Sequence, residues 1–149
     1  MTPRKIEVIA LDDFPFISPG DDLASIILER SHAAGLHDGD ILVIAQKIIS
    51  KAENRYRNLS EINPSTEAIK LAAKTEKSPS LVELILQESA EIVRHRPGLI
   101  IARHRLGYVL ANAGIDASNV GRTREHVLLL PEDPNKTCRE LLQAFSNAC

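Results

Sequence analysis

The 149 residues amount to one domain's worth of chain, and 44% apolar with 26% charged residues is typical of a soluble globular protein. A net charge of −2 and an aromatic content of 3% argue against a nucleic-acid-binding surface, which needs a basic patch interleaved with aromatic side chains. A membrane-spanning helix needs about 18 consecutive apolar residues, and no stretch of the chain approaches that length. No secretory h-region is present. We therefore expect a cytoplasmic protein that binds neither nucleic acid nor membrane.

The first third of the chain predicts two strands with a helix between them. Residues 5–10 read as a first strand. Asp21 is a natural N-cap for the helix that follows, and Gly35 is a plausible stop for it. Residues 41–45 predict a buried strand. We expect residues 47–53 to extend or bend that strand, because two adjacent isoleucines break strict alternation.

Three later helices are predicted from one shared starting device, a capping residue followed by proline. The pairs are Asn63-Pro64, Ser78-Pro79 and Asp133-Pro134. In the last helix Cys138 shares a stripe with three apolar residues, which predicts a core position, and the terminal Cys149 is expected to be inert. The two cysteines have neither metal-ligand spacing nor a secreted disulfide pattern.

The strand pattern of the second half sets the fold class. Residues 99–102 and 108–111 predict a hairpin, and residues 127–130 predict a last short strand. Strands come singly near the start and paired near the middle. We therefore expect an α/β protein with a mixed sheet flanked by helices, rather than a strictly parallel doubly wound sheet. His95 and His104 flank a predicted strand, and we expect both at solvated strand ends.

Residues 112–120 form a polar cluster directly after an apolar run, where open α/β sheets place ligands. Asp116 can hold a hard cation through its carboxylate. Asn112, Ser118 and Asn119 can donate and accept hydrogen bonds to a polar ligand. The alternative is a turn whose side chains cap their own backbone.

Five segments together resemble the coenzyme F420-0:L-glutamate ligase family, in the same order over nearly the whole chain. They are PGDDLA at 19–24, DGDILV at 38–43, AQKIISKAE at 45–53, NAGIDASNV at 112–120 and LLLPEDP at 128–134. The resemblance implies the N-terminal portion of a larger two-domain ligase fold, spanning residues 1–149. It also implies GTP-dependent addition of L-glutamate to coenzyme F420-0 through an acyl phosphate, with magnesium or manganese and a homodimer.

Carried over residue by residue, the resemblance implies one metal ligand and a set of GTP contacts. Asp116 matches the metal ligand. The GTP contacts fall on Phe14, Pro15, Phe16 and Ile17, largely through backbone groups, and on Gln46, Lys47, Lys51 and Asn119. Ligation of a carboxylate suits such a set, because cations neutralise the charge on a transferring phosphoryl group. From the residues alone, 14–17 could equally be a core cover and the lysines solvated strand-end residues. Neither common glycine-rich phosphate-binding motif occurs.

The chain also departs from the family pattern. Asn54 replaces a glycine, and because asparagine tolerates positive φ we expect the turn to survive. Family members continue well past residue 134 into a second half with further metal ligands and nucleotide contacts. We therefore expect this chain alone to be a poor ligase or none, and to self-associate through apolar area meant for the missing layer. The alternatives are a non-catalytic nucleotide- or metal-binding module, and a different carboxylate–amine ligase or dimerisation domain on the same scaffold.

Overall fold

The computed structural model describes residues 5–31, 35, 37–117 and 125–148. Five helices and five strands make up its regular structure within those ranges. In chain order they are α1 (Leu23–Ser31), α2 (Gln46–Ala52), β1 (Tyr56–Asn58), α3 (Thr66–Thr75), α4 (Pro79–Glu88), β2 (Ser89–Arg96), β3 (Leu99–His104), β4 (Val109–Ala111), β5 (His126–Leu128) and α5 (Pro134–Ala148). The predicted α/β class with flanking helices is confirmed. No described helix is both long and apolar enough to cross a membrane.

The strands form two antiparallel sheets, one in the order β2-β3-β4 and one that pairs β1 with β5. The predicted hairpin of residues 99–102 and 108–111 is confirmed as β3 and β4. β2 was not predicted, because its charged residues interrupt the apolar alternation typical of a strand. It pairs along the whole of β3, with register shifts. β1 was missed because three residues are too short to show a periodicity.

The closed core is the larger of two hydrophobic clusters, and it lies between α3, α4 and the three-stranded sheet. Buried residues recur at helical spacing in α4, where Val82 and Ile85 are fully buried. They alternate in β3, where Ile100 and Ala102 point to the same side. These two periods place one apolar face of each element against the other. The closed core comprises Ala68, Ala72, Val82, Leu84, Ile85, Ile100, Ala102, Ala113, Ile115, Val127 and Leu129.

The open layer is the second cluster, built from α1, α2, α5 and the chain around residue 42. Its buried members are Ile17, Leu23, Ile27 and Ile49. Side chains from α5 and from the extended segment before α2 pack against these residues only in part. This layer contains no described strand.

The two strands predicted for the first third of the chain, at residues 5–10 and 41–45, are wrong. Both segments lie outside every ladder formed by the described residues. A strand requires a neighbour that takes up its N–H and C=O groups. No described segment lies beside either one in that way, so their β-type sequences form no sheet.

The prediction that residues 47–53 extend a strand is also wrong, since Gln46–Ala52 is the helix α2. Ile48, Ile49 and Ala52 fall on one side of that helix and pack into the open layer. The adjacent isoleucines that broke strand alternation were therefore the signal of helical spacing. Gln46 and Lys47 are good helix formers and support the same outcome.

Two of the three predicted proline-initiated helix starts are confirmed, and one is wrong. α4 begins at Pro79, and α5 begins at Pro134, with the Asp133 Oδ1 accepting from the Lys136 N–H at 2.9 Å. Both starts are confirmed. The start at Asn63-Pro64 is wrong, because Ser65 caps α3 by accepting from the Ala68 N–H at 3.1 Å.

The predicted cap of α1 is displaced by one residue. The Asp22 Oδ1 accepts from the Ser25 N–H at 3.1 Å, whereas Asp21 accepts from the Ser18 N–H in the preceding turn. The Ser25 Oγ also donates to the Asp22 Oδ2 at 2.8 Å. The two bonds from Ser25 lower the pKa of Asp22, because they favour the ionised carboxylate. Gly35 has φ +65° and its N–H donates to the Ser31 carbonyl, in keeping with the predicted stop.

Cys138 is exposed, so its predicted core position is wrong. The apolar stripe of α5 packs against the open layer through Leu141 and Phe145, while Leu142 stays largely exposed. The stripe therefore borders solvent along the edge where Cys138 lies. Cys149 lies outside the described residues.

His104 is buried, so its predicted position at a solvated strand end is wrong, whereas His95 is exposed as expected. The His104 Nδ1 accepts from the Leu106 N–H at 3.0 Å, and its Nε2 lies 3.2 Å from the Glu88 Oε2. Burial lowers the pKa of His104, and the nearby Glu88 carboxylate offsets this only in part.

Glu88 joins His104 to a buried arginine. The Arg55 Nη2 donates to the Glu88 Oε2 at 2.9 Å, and the Arg55 Nε donates to the Leu130 carbonyl at 2.8 Å. The Arg105 Nε lies 3.5 Å from the same carboxylate oxygen. We call Arg55, Glu88, His104 and Arg105 the polar knot. It links the end of α4 and β3 to the chain after β5.

Candidate functional site

Lys47 and Asp116 meet, although 69 positions separate them in the sequence. The Lys47 Nζ lies 2.5 Å from the Asp116 Oδ2, and the two side chains are 44% and 25% exposed. Lys47 lies in the first turn of α2. The backbone of Asp116 is fixed by a two-way bridge to Leu128, with both N···O distances at 2.9 Å. Two predicted site residues are therefore brought together at the surface.

A left-handed turn immediately precedes Asp116. Asn112, Ala113 and Gly114 have φ values of +51°, +52° and +73° in succession. Left-handed backbone costs about 1–3 kcal/mol for each non-glycine residue, and such strain concentrates at functional sites. Ala113 is fully buried in the closed core. The turn therefore anchors the chain in the core and directs it to Asp116.

Gly114 is required by packing as well as by its conformation. A Cβ at this position would lie 2.9 Å from the Leu130 Cδ1 and 3.0 Å from the Leu110 Cδ1. The Oδ1 of Asn112 on the same turn is buried and has no hydrogen-bond partner in the described structure. A buried acceptor left unpaired costs about 1–3 kcal/mol, so this oxygen is suited to a ligand or a water.

Lys51 lies one helical turn after Lys47 on the same side of α2. Among the described residues it forms no ion pair within 4.0 Å. Gln46 donates from Nε2 to the Ser50 Oγ at 2.5 Å, which spans the same turn. α2 therefore presents two ammonium groups in a row, one of them next to a carboxylate.

The residues after α2 hold the helix in place. Asn54 has φ +54°, and the N–H groups of Asn54 and Arg55 donate to the carbonyls of Lys51 and Ser50. The expectation that asparagine would preserve the glycine turn is confirmed. Glu53 accepts from the Glu132 N–H at 2.9 Å and from the Thr137 Oγ1 at 2.7 Å, so it fastens the end of α2 to the start of α5.

Within residues 14–17, burial differs between neighbouring side chains. Ile17 is buried in the open layer and Phe14 packs against it. Pro15 and Phe16 are exposed, and Phe16 is almost entirely so. Asp13 has φ +52°, so the segment begins with a left-handed residue.

The loop that contains residues 14–17 is tied to α2. The Gly20 N–H donates to the Ala52 carbonyl at the end of that helix, at 2.9 Å. Three groups of predicted site residues therefore lie around α2: the loop of residues 14–17, the two lysines of the helix itself, and Asp116 next to Lys47. Asn119 and Ser118 lie outside the described residues.

The sequence of the whole chain matches known proteins along most of its length. The sequence model of the F420-0:Gamma-glutamyl ligase family matches residues 13–149. The chain belongs to this family. The resemblance carried by the five sequence segments is thereby confirmed.

Several relatives in the F420-0:Gamma-glutamyl ligase family carry the name coenzyme F420:L-glutamate ligase. The one from Methanothermobacter thermautotrophicus is 43% identical over 145 residues, which is 96% of this chain and 57% of the relative. That from Methanopyrus kandleri is 48% identical over 125 residues, or 84% and 48% of the two chains. That from Archaeoglobus fulgidus is 42% identical over 138 residues, or 92% and 53%. The chain spans about half the length of the curated relatives it matches.

The described part of this family member supplies an incomplete set of metal ligands. Its residues contain no group of three or more histidine, cysteine, aspartate or glutamate side chains that could hold a metal ion. Asp116 offers one carboxylate and the Asn112 Oδ1 one unpaired amide oxygen, and both are oxygen ligands of the type that magnesium prefers. Each is a single ligand of the required type, and the described residues do not assemble a complete site around either one.

An open apolar cleft of about 340 Å³ lies beside α2. Gln46 and Ile49 line it from the helix, Leu110 lines it from β4, and Tyr108 lines it from just before that strand. The cleft therefore lies next to α2, the helix that carries Lys47.

Sequence reasoning missed the roles of Gly114 and Glu53. Gly114 was available as a signal, because a glycine two residues before a candidate ligand indicates a special backbone conformation. Glu53 gave no such signal, because its partners Glu132 and Thr137 lie about eighty residues away and only the fold brings them near.

Proposed function

We propose that this chain forms the part of a GTP-dependent ligase that handles the phosphates, in an enzyme that joins L-glutamate to coenzyme F420-0. The family membership and the names of the relatives support this reaction. The observation that carries the proposal is the Lys47–Asp116 pair, positioned by a strained turn. A half-exposed ion pair is worth only about 0–1 kcal/mol, which does not offset that strain. The arrangement is therefore better explained by ligand binding than by stability.

The proposed chemistry begins with a carboxylate, which is a poor electrophile until it is activated. An oxygen of that carboxylate attacks the γ-phosphorus of GTP, the bond to the β-phosphate oxygen breaks, and GDP leaves. The amine of glutamate then attacks the acyl phosphate carbon, and phosphate leaves with the bonding electron pair while the amine loses a proton. Both steps place negative charge on phosphoryl oxygens, which cations stabilise.

In this proposal Lys47 and Asp116 separate, and each then contacts the ligand: Lys47 the phosphates and Asp116 the divalent cation. Because their ion pair is partly exposed, it opens at a modest cost in free energy. The Lys47 ammonium then holds phosphoryl oxygens, and Lys51 adds a second ammonium one turn further along α2. A divalent cation, magnesium or manganese, would neutralise charge on the phosphates when held by Asp116.

The rest of the metal site would come from outside the described residues. Asp116 and the Asn112 Oδ1 provide two oxygens, whereas magnesium takes about six ligands, several of them water. We therefore expect weak cation binding by this chain. The homodimer and the GTP contacts of residues 14–17, Gln46 and Asn119 remain predictions of the same proposal.

Calorimetric titration of the full chain with GTP and magnesium tests the proposal. We expect binding for the wild type, and Asp116→Asn should weaken it by about tenfold because one charged ligand is lost. Lys51→Met should weaken it by a similar factor with or without metal. Lys74→Met, at an exposed position near the end of α3, is the matched control and should change nothing. Absence of GTP binding by the wild type, or equal binding by Asp116→Asn, would contradict the proposal.

A second candidate is a nucleotide-binding module without ligase activity, which the incomplete ligand set favours. Incubation with GTP, magnesium, L-glutamate and coenzyme F420-0 separates the two functions. Formation of the glutamylated coenzyme supports the ligase. GTP binding without product formation supports the module.

A further inference from the structure

Two extended segments, residues 5–10 and 41–45, expose large apolar side chains. Ile6 and Val8 of residues 5–10 are 89% and 92% exposed, and Ile41 and Val43 of residues 41–45 are 88% and 86% exposed. Isolated exposed apolar residues are ordinary, but four large β-branched side chains on two segments are not. We define the outer face by these four residues.

The second of these segments has the pattern of a strand that is buried on both sides. Leu42 and Ile44 point inward and pack against the open layer, while Ile41 and Val43 alternate with them and point outward. An uninterrupted apolar run of this kind is typical of a strand covered on both faces. Only the inner side is covered by described residues.

The backbone of both segments is also available for pairing. Neither residues 5–10 nor residues 41–45 belong to any ladder among the described strands. Extended segments that lie outside the described ladders and carry exposed apolar side chains can bind other polypeptides by adding strands. The outer face therefore offers a partner both hydrogen bonds and apolar area.

We propose that the outer face binds, by strand addition, the polypeptide that corresponds to the second half of the longer relatives. The first observation for this occupant is length, since the matched relatives are about twice as long as this chain. A fold of that family therefore contains about as much further polypeptide as is present here. The proposal holds whether that polypeptide belongs to the same chain or to a separate one.

The second observation is the position of the outer face relative to the site. Residues 41–45 run directly into α2, whose first turn carries Lys47. A polypeptide added along these residues lies next to the Lys47–Asp116 pair, where further ligands are needed. A second copy of this chain would bring the same described residues and hence no new type of ligand. This argument uses the proposed function, whereas the docking itself does not depend on nucleotide chemistry.

Co-expression tests the docking. The full chain is produced together with a tagged polypeptide that comprises the Methanothermobacter thermautotrophicus relative beyond its matched region, and no nucleotide is added. We expect the two to co-purify in equal amounts. In the complex, amide hydrogen exchange at residues 41–45 should slow by about tenfold or more relative to the chain alone.

Aspartate substitutions on the outer face are compared with an aspartate substitution at an exposed apolar residue elsewhere. The double variant Ile41→Asp with Val43→Asp should abolish co-purification, and Ile6→Asp with Val8→Asp should weaken it in the same direction. Leu142→Asp, on an exposed apolar residue of α5 outside the outer face, should leave co-purification intact. All of these side chains are largely exposed, so thermal unfolding of the chain alone should match the wild type.

Three results would overturn the proposal. The first is no co-purification by the wild type. The second is co-purification that the aspartate variants on the outer face leave unchanged. The third is protection of residues 41–45 that rises with the concentration of the chain alone, which assigns the outer face to a second copy. Because nucleotide is absent throughout, failure here is distinct from failure of GTP binding.

Discussion

The closed core and the open layer each contain a segment with an apolar β-type pattern, but the two segments have different neighbours. In the closed core, β3 has strands on both sides, and α3 and α4 cover the sheet. In the open layer, residues 41–45 have the same alternation of apolar side chains, but no described strand lies beside them. A β-type pattern therefore becomes a strand only where a neighbour completes its hydrogen bonds.

The candidate site lies where these two regions meet. Lys47 belongs to a helix of the open layer, and Asp116 follows a turn that is anchored in the closed core. The closed core thus fixes one side of the site, and the open layer positions the other. Differences in stability between the two regions should therefore be measurable as differences between matched substitutions.

The largest expected effect comes from truncating one isoleucine in each region. Ile85 and Ile27 are both fully buried, in α4 and α1 respectively. We expect Ile85→Ala to cost about 4 kcal/mol, because the closed core is packed on all sides and cannot collapse around the cavity. Ile27→Ala should cost about 2 kcal/mol, because the open layer can relax. Denaturant unfolding measures both, and an equal or larger cost for Ile27→Ala would refute the distinction.

The next effect concerns the polar knot of the closed core. Glu88→Gln leaves the buried Arg55 without its carboxylate, and we expect a cost of about 3 kcal/mol. Glu91→Gln is the control, because its pair with Arg103 is about half exposed and worth at most about 1 kcal/mol. Chemical denaturation of both variants decides the matter. Similar costs would mean that the knot does not contribute to the stability of the core.

A pair of glycines separates packing from backbone strain. Gly114→Ala combines positive φ with close approach to Leu130 and Leu110, and we expect a cost of about 2–3 kcal/mol. Gly98→Ala has a similar φ of +77° but open space around the added Cβ, so strain alone should cost about 1 kcal/mol. Thermal unfolding gives the comparison. If the two costs agree, the close approach of Leu130 and Leu110 to Gly114 has no energetic importance.

The smallest effect is a dependence of stability on pH. Burial lowers the pKa of His104 in the folded state, so the folded protein favours the neutral imidazole. Its contribution to stability is present above the unfolded pKa of about 6.5 and is lost as the pH falls below that value. Unfolding measured between about pH 7.5 and 5.5 should show this slope. His104→Gln should flatten it, and a variant of the exposed His95 should not. A wild-type slope that survives in His104→Gln would contradict this account.

The sequence predicted the fold class, the β3–β4 hairpin and the proline-initiated starts of α4 and α5, because each depends on residues close together in the chain. It failed at residues 5–10 and 41–45, where the outcome depends on a neighbour that local pattern cannot reveal. It failed at His104 for a related reason. Charged neighbours suggested solvent, whereas Glu88 from another element makes burial possible.

The site was predictable in its residue types but not in its geometry. The acidic residue at 116 and the lysine at 47 could be selected from the resemblance, but their contact requires the fold. Gly114 signals a special backbone conformation, but the left-handed backbone of Asn112 and Ala113 was not predictable, because Asn-Ala-Gly is compatible with many turns. Only coordinates reveal three successive residues with positive φ.

Glu53 has a mechanical consequence for α2. Its carboxylate holds the N–H of Glu132 and the hydroxyl of Thr137, so the end of α2 and the first turn of α5 are clamped by one side chain. A shift of Lys51 along the helix axis must carry α5 with it or break both bonds. A ligand that binds to the ammonium groups of α2 and shifts this helix would thus displace the C-terminal helix as well.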